Sequence, residues 1–300
     1  MEHTKDNRTF GICLTLGGGI CWGLSGCFGQ YLFQEKGLTA EWLVTIRLTL
    51  AGLLLIILGI FLARKNMAAV WRDRKDRKTL LLFAFLGMLT CQYTYFAAIQ
   101  YSNAGTATVL QSLGPTIILT YICLRGKRLP TRLEAGAIVF ALLGVFLLST
   151  HGDMGSMSIS SLALFFGLAS AVSVAIYNML SGELLRKYGV YAIVGYAMLL
   201  AGVAMLVIVR PWTYDILFDK STILAILGVV VIGTAVAFSL YLKGVSIVGP
   251  FMGSLLGMIE PIVAVIVSLA FLGAEFHILD FVGFVLILGT VVALSLRSKE

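Results

Sequence analysis

Charged residues are scarce in this chain of 300 residues. They make up 12% of it, whereas 59% of the residues are hydrophobic. A soluble globular protein averages about 25% charged and 45–50% apolar residues. The composition therefore excludes a water-soluble domain and predicts an all-α polytopic membrane protein.

Motifs for catalysis, nucleotide hydrolysis and metal binding are also missing. The sequence contains no Walker A phosphate loop, no G-x-S-x-G, no H-E-x-x-H and no C-x-x-C. Its five cysteines all lie in or at the edge of apolar segments, where they are typical of small buried side chains: Cys13, Cys21, Cys27, Cys91 and Cys123. We expect no enzyme, no catalytic residue, no cofactor and no metal site.

The net charge of +7 would suit a nucleic-acid partner, but the positions of the basic residues argue otherwise. With the N-terminus placed in the cytoplasm, 18 of the 22 lysine and arginine residues fall inside and 3 outside, and Arg47 lies within a span. This bias follows the positive-inside rule. It predicts that both termini are cytoplasmic, and we expect no nucleic-acid partner.

Apolar segments of about 20 residues can cross the hydrocarbon core as helices. The sequence predicts ten such spans joined by short loops. Their approximate ranges are 10–33, 40–63, 79–99, 103–124, 133–150, 160–181, 190–209, 222–242, 247–272 and 278–296.

Two prolines interrupt apolar segments at matching places. Pro115 and Pro261 are 146 positions apart, and flanking tyrosine and leucine residues recur at the same spacing. Five spans per half is an odd number, so the second half enters the membrane from the opposite face. We therefore predict two inverted five-helix repeats, 1–150 and 151–300, in one membrane domain. Paired interruptions of this kind are typical of transport sites.

Three motifs carry a resemblance to a known family. The segment 257–275, GMIEPIVAVIVSLAFLGAE, resembles the late-helix motif of EamA-type proteins in the drug/metabolite transporter superfamily. The segment 110–120 resembles its first-half counterpart, and 45–55 resembles the second helix, in which an arginine is often found. The resemblance implies a ten-helix carrier that exports small metabolites such as amino acids. We expect it in the plasma membrane of a bacterium, working by alternating access.

Glu260 is the only acidic residue deep inside an apolar segment, and Gly114 occupies the corresponding place in the first half. An unpaired charge at the bilayer centre costs several kcal/mol, so intramembrane acids are functional by default. One interpretation is a group that couples protons or contacts a substrate amine. The other is a structural hydrogen bond to backbone freed by Pro261.

Arg47 lies about seven residues into the second span. It either snorkels to the outer edge of the bilayer or contacts a carboxylate in the interior. Polar and aromatic side chains on other helices recur at helical spacing, which indicates inward faces. They serve either interhelical hydrogen bonding or a ligand. The candidates for substrate binding or coupling, besides Arg47 and Glu260, are Trp22, Tyr95, Gln111, Tyr177, Asn178 and Tyr241.

Other functions remain compatible with the sequence. A membrane sensor or scaffold that transports nothing is one alternative, although a scaffold has no need of paired broken helices. A carrier of drugs or nucleosides is another. As partners we expect a small-molecule substrate and the lipid bilayer, with or without coupled protons, in a monomer or weak dimer.

Overall fold

The structure is a computed structural model that describes residues 2–63, 67–153 and 157–297. Within these residues every regular element is helical. The α-helices are α1 (Glu2–Lys36), α2 (Ala40–Leu58), α3 (Arg74–Leu82), α4 (Thr90–Tyr101), α5 (Ala104–Gln111), α6 (Gly114–Arg125), α7 (Arg132–Thr150), α8 (Ser161–Tyr188), α9 (Val190–Val209), α10 (Lys220–Leu227), α11 (Ala237–Val248), α12 (Pro250–Gly257), α13 (Ile259–Phe271) and α14 (Ile278–Arg297).

Wider π-helical turns extend or join some of these helices. A π-helical segment at Gly59–Ala63 extends α2, Phe83–Leu89 joins α3 to α4, and Gly228–Val236 joins α10 to α11. Short 3₁₀ helices occupy Met67–Trp71 and Pro211–Thr213. Each π-helical junction continues the helix, so α3 with α4 and α10 with α11 act as single long rods.

The part of the chain that the structure describes contains 8 helices long and apolar enough to cross a membrane, plus two shorter apolar helices, Ile259–Phe271 and Ile278–Leu294. Large apolar side chains point outward from these helices. Phe61, Leu124 and Phe271 are each more than 70% exposed. Because water would not tolerate so much exposed apolar surface, the helices are suited to lipid.

Several helices are longer than the predicted spans. The third predicted span, 79–99, belongs to a helix that begins at Arg74, because Asp73 caps it by accepting hydrogen bonds from the backbone N–H groups of Lys75 and Asp76. Charged turns of this kind carry a helix beyond the bilayer edge, where hydropathy cannot detect it.

The helices of the fourth and ninth predicted spans are interrupted. The fourth comprises α5 and α6, and the ninth comprises α12 and α13. Pro115 follows the first interruption and Pro261 the second, each in the first turn of the helix that comes after it. A proline in the first turn needs no N–H partner there, so the chain changes direction at little cost.

The order of elements recurs along the chain. The helix with a central π-helical segment is followed by a broken helix and then a continuous one, in 74–150 and again in 220–297. α5 begins at Ala104 and α12 at Pro250, which are 146 positions apart. The structural spacing equals the spacing of the two prolines.

Glycines allow the helices to approach closely. A Cβ added at Gly52 in α2 would lie 2.5 Å from the backbone nitrogen of Leu199 in α9, and one added at Gly202 would lie 2.6 Å from that of Thr49. α1 approaches α13 in the same way, since a Cβ at Gly23 would lie 2.7 Å from the carbonyl oxygen of Glu260. Small residues at helix contacts are typical of membrane proteins, where dispersion replaces the hydrophobic effect as the packing force.

We predict that Gly52→Ala destabilises the protein. The added methyl group would meet backbone atoms of α9, so the two helices must separate, at a cost of about 1–3 kcal/mol. Thermal unfolding in detergent measures the change. Gly289→Ala is the matched control, because a Cβ at that helical position has no atom within 4 Å. An equal loss of stability in both variants would contradict the close packing of α2 on α9.

Candidate functional site

A cavity of about 370 Å³ lies between the helices in the middle of the chain's apolar region. Ligand pockets in proteins range from about 300 to 1,000 Å³. Helices from both halves of the sequence line it, among them α1, α2, α4, α8 and α13.

The cavity brings together all eight residues that the sequence singled out as candidates for substrate binding or coupling. They are Trp22, Arg47, Tyr95, Gln111, Tyr177, Asn178, Tyr241 and Glu260. They come from seven helices in both halves of the chain, so their convergence is a property of the fold.

Arg47 is buried in the interior and does not reach the membrane edge. Only 5% of the surface of Arg47 is exposed. One terminal nitrogen, Nη2, donates a hydrogen bond to the carbonyl oxygen of Gly233 at 3.3 Å, and the guanidinium carbon lies 5.1 Å from the ring centre of Phe96. The Nε atom is buried without a hydrogen-bond partner in the described part of the chain. The snorkelling interpretation is therefore wrong.

A π-helical segment provides the carbonyl that Arg47 uses. Gly233 lies within Gly228–Val236. Wide turns of this type weaken the regular pairing of backbone groups and are frequent at functional sites. The Thr234 hydroxyl also donates to a carbonyl here, that of Val229 at 3.5 Å. The local helix geometry thus gives α2 its polar contact with the second half of the chain.

Glu260 occupies the first turn of α13, directly before Pro261. Its carboxylate faces the cavity and makes no hydrogen bond or ion pair with the residues that the structure describes. The structural interpretation, a hydrogen bond to backbone freed by Pro261, therefore has no counterpart in the described contacts.

Arg47 and Glu260 face the same cavity with opposite charges. Both are described by the structure, and no ion pair with an N–O distance of 4.0 Å or less joins them. Both groups therefore face the cavity without a direct ion pair between them.

Aromatic rings form much of the wall. The ring centre of Trp22 lies 5.3 Å from that of Phe238 and 4.8 Å from that of Tyr241. On the other side, the Tyr177 ring lies 4.9 Å from the Phe83 ring. Edge-to-face and tilted pairs of this kind hold rings in fixed orientations. They give the cavity rigid, weakly polar surfaces.

Hydrogen bonds orient two of the neutral polar groups. The hydroxyls of Tyr95 and Thr108 are 2.9 Å apart, which ties α4 to α5. The side-chain amide of Gln111 donates to the Ser170 hydroxyl at 2.8 Å, which ties α5 to α8. Interhelical hydrogen bonding is thus part of the role of Tyr95 and Gln111, whatever ligand they contact.

Apolar residues that the sequence did not single out complete the lining. They are Met88, Cys91, Val174, Leu185, Val190 and Leu242, and Gln92 and Phe238 lie beside them. In a chain with so many apolar residues, a cavity-facing leucine carries no sequence signal that separates it from a lipid-facing one. Gln92 and Phe238 lie three residues before Tyr95 and Tyr241, on the same helix faces as these two tyrosines.

The cavity extends toward one face of the membrane region. Leu185 lies near the end of α8 and Val190 at the start of α9, on either side of the turn at Gly189. The lining residues closest to the opposite face, Arg47 and Tyr95, remain about two helical turns from their helix ends. We call the end at Leu185 and Val190 the mouth. The charged groups lie deeper than this apolar mouth.

Similarity to known proteins agrees with this architecture. The chain is 40% identical over 281 residues to the uncharacterized inner membrane transporter YicL of Salmonella typhimurium, covering 94% of this chain and 93% of the relative. It is 29% identical over 220 residues to an uncharacterized transporter of Archaeoglobus fulgidus, covering 73% and 76%. It is 24% identical over 265 residues to the uncharacterized transporter YetK of Bacillus subtilis, covering 85% and 78%.

A crystal structure of another protein shares the fold. The TM-score is 0.60, with 18% sequence identity and coverage of 98% of this chain and 99% of the other. The profile of the EamA-like transporter family matches residues 9–150 and again residues 161–296, and the two matches together cover nearly the whole chain. The chain belongs to the EamA-like transporter family.

Proposed function

We propose that this transporter exports a small zwitterionic metabolite, most simply an amino acid, from the bacterial cytoplasm by alternating access. The observation that carries the proposal is the pair of opposite charges, Arg47 and Glu260, which share one cavity without a direct ion pair. An α-carboxylate suits a guanidinium, which donates several hydrogen bonds in a fixed plane. An α-ammonium suits a carboxylate.

Burial makes this pairing selective. Arg47 lacks a hydrogen-bond partner at Nε within the described residues, so it leaves donor capacity for a ligand. A buried polar group without its partner costs about 1–3 kcal/mol. A ligand that satisfies both charges removes that cost, whereas a ligand with only one charge leaves the other group unsatisfied. The aromatic walls around Trp22 and Tyr177 accept an apolar side chain.

The proposed topology has ten spans in two inverted five-helix repeats, with both termini in the cytoplasm. The recurrence of element order and the double match to one family profile support the repeat. The excess of basic residues on one side supports the orientation. In this topology the mouth at Leu185 and Val190 faces the cytoplasm, which is where an exporter takes up its cargo.

We predict that purified protein in proteoliposomes exchanges labelled amino acids by counterflow. Each compound of a panel of amino acids is trapped inside and challenged with label outside, and empty liposomes are the control. Saturable exchange of at least one member supports the function. Absence of exchange for the whole panel, from protein that remains folded and monodisperse, would contradict it.

We predict that Arg47→Met reduces exchange roughly tenfold or more, because the substrate carboxylate loses its charged partner. Its thermal stability in detergent should stay within ~1 kcal/mol of wild type, since methionine fills much of the same volume and removes a buried charge whose desolvation is costly and whose Nε has no partner among the described residues. Trp42→Phe is the control for a purely structural loss. It removes the 3.1 Å hydrogen bond from the Trp42 ring to the Pro211 carbonyl but leaves the cavity intact. The assignment of Arg47 fails if its variant is unfolded or exchanges normally.

We predict that Glu260→Gln lowers exchange while the protein stays folded, because glutamine keeps the shape but cannot balance the substrate ammonium. If Glu260 also carries protons, the variant loses the pH dependence of net flux as well. Rates measured across pH with and without an imposed proton gradient test both points. Unchanged flux together with unchanged pH dependence would assign Glu260 a structural role only.

A further inference from the structure

The side chain of Gln30 joins three helices at the end of the cavity opposite the mouth. Gln30 lies in α1 and is 0% exposed. Its amide oxygen accepts a hydrogen bond from the backbone N–H of Ala104, the first residue of α5, at 2.9 Å. The same oxygen accepts a second from the Ser268 hydroxyl of α13, also at 2.9 Å. Its amide nitrogen donates to Gln34 at 3.1 Å.

This junction closes the cavity on the far side. Ser268 lies about two turns beyond Glu260 along α13, and Ala104 about two turns before Gln111 along α5. α5 and α13 pack tightly there, since a Cβ at Gly105 would lie 2.9 Å from a methyl carbon of Val265. The Cys27 thiol adds a contact to the Ala264 carbonyl at 3.7 Å.

The equivalent junction on the mouth side would involve α8, α12 and α6, because the spacing of 146 places α12 on α5 and α13 on α6. Within the residues that the structure describes, α5 packs against α13 but α6 shows no comparable packing against α12. The two ends of the cavity are therefore in opposite states, closed at Gln30 and open at the mouth.

The two groups that donate hydrogen bonds to Gln30 have no counterparts on the mouth side. At the spacing of 146, Ala104 corresponds to Pro250, which has no N–H to donate. Ser268 corresponds to Ile122, which has no hydroxyl. Whatever side chain of α8 takes the place of Gln30, neither of these two hydrogen bonds can form there.

We propose that Gln30 is a one-sided latch that makes the cytoplasm-open state the resting state of the empty transporter. The inference rests on the alternating access of the proposed function. The far-side closure has two buried hydrogen bonds that the mouth-side closure lacks. Each of these bonds stabilises the conformation that is closed at Gln30 and open to the cytoplasm. In an exporter this bias returns the empty cavity to the side where cargo is loaded, and substrate binding must then overcome it.

Labelling of Cys91, a cavity-lining residue, reports which side is open. The assay uses a variant with the other four cysteines replaced by alanine, in vesicles of known orientation, and a small membrane-impermeant methanethiosulfonate reagent. We expect wild-type Gln30 to give fast labelling from the cytoplasmic face and slow labelling from the other. Gln30→Leu should raise the rate from the far face roughly tenfold or more.

Two further variants keep the test decisive. Ser268→Ala removes one of the two bonds and should give a smaller increase in far-face labelling, even if Gln30→Leu fails to fold. Glu35→Gln is the control, because Glu35 is an exposed residue of α1 and takes part in none of the Gln30 hydrogen bonds. Its labelling pattern should match wild type.

Unchanged far-face labelling in folded Gln30→Leu and Ser268→Ala would overturn the latch, and so would an equal increase in Glu35→Gln. The assay needs no substrate, so its outcome is separate from that of the counterflow experiment. Exchange of amino acids with unchanged labelling refutes the latch alone. Shifted labelling without exchange of any amino acid supports the latch and refutes the substrate class.

Discussion

The burial of the Arg47 guanidinium is the constraint on which the arrangement of the cavity depends. A permanent charge inside a membrane must be hydrogen-bonded, hydrated or balanced. Here α2 carries the charge, the π-helical segment of the second half offers the Gly233 carbonyl, and α4 places the Phe96 ring against it. The opposing carboxylate, Glu260, comes from α13 across the cavity. The first half of the chain thus supplies the buried guanidinium, and the second half supplies the carbonyl and the carboxylate that face it. Neither half forms the site alone.

Much of the fold and the site was predictable from sequence, and particular residues show where prediction stopped. Hydropathy and the two prolines indicated the helices and their interruptions, because both effects are local. Polar residues in apolar segments identified the cavity lining, since lipid excludes them from outer faces. The burial of Arg47 was not predictable, because snorkelling and inward burial fit the same position in a helix. Neither were the π-helical segments or the mouth residues Leu185 and Val190, which depend on tertiary packing and carry no polar signal.

The departures from symmetry between the halves have physical causes. Gly114 corresponds to Glu260, and a side chain at Gly114 would collide with Val174 of α8, so no acid fits in the first half. In the second half, Gly23 of α1 packs against the backbone of Glu260, and the Glu260 carboxylate faces the cavity. Pro250 and Ile122 differ from Ala104 and Ser268 in hydrogen-bonding capacity in the same one-sided manner. In the proposed cycle, repetition provides two related shapes, and the unmatched residues favour one of them in the empty transporter.

The most direct measurement of the central claim, that Arg47 and Glu260 together hold a zwitterion, compares three ligands that differ by one charge each. An amino acid that the protein exchanges is tested for binding beside its carboxamide, which lacks the carboxylate, and its deaminated acid, which lacks the ammonium. We predict that the amino acid binds at least about tenfold more tightly than either derivative, because each derivative leaves one buried charge unsatisfied. Equal affinity for the three compounds would contradict the claim.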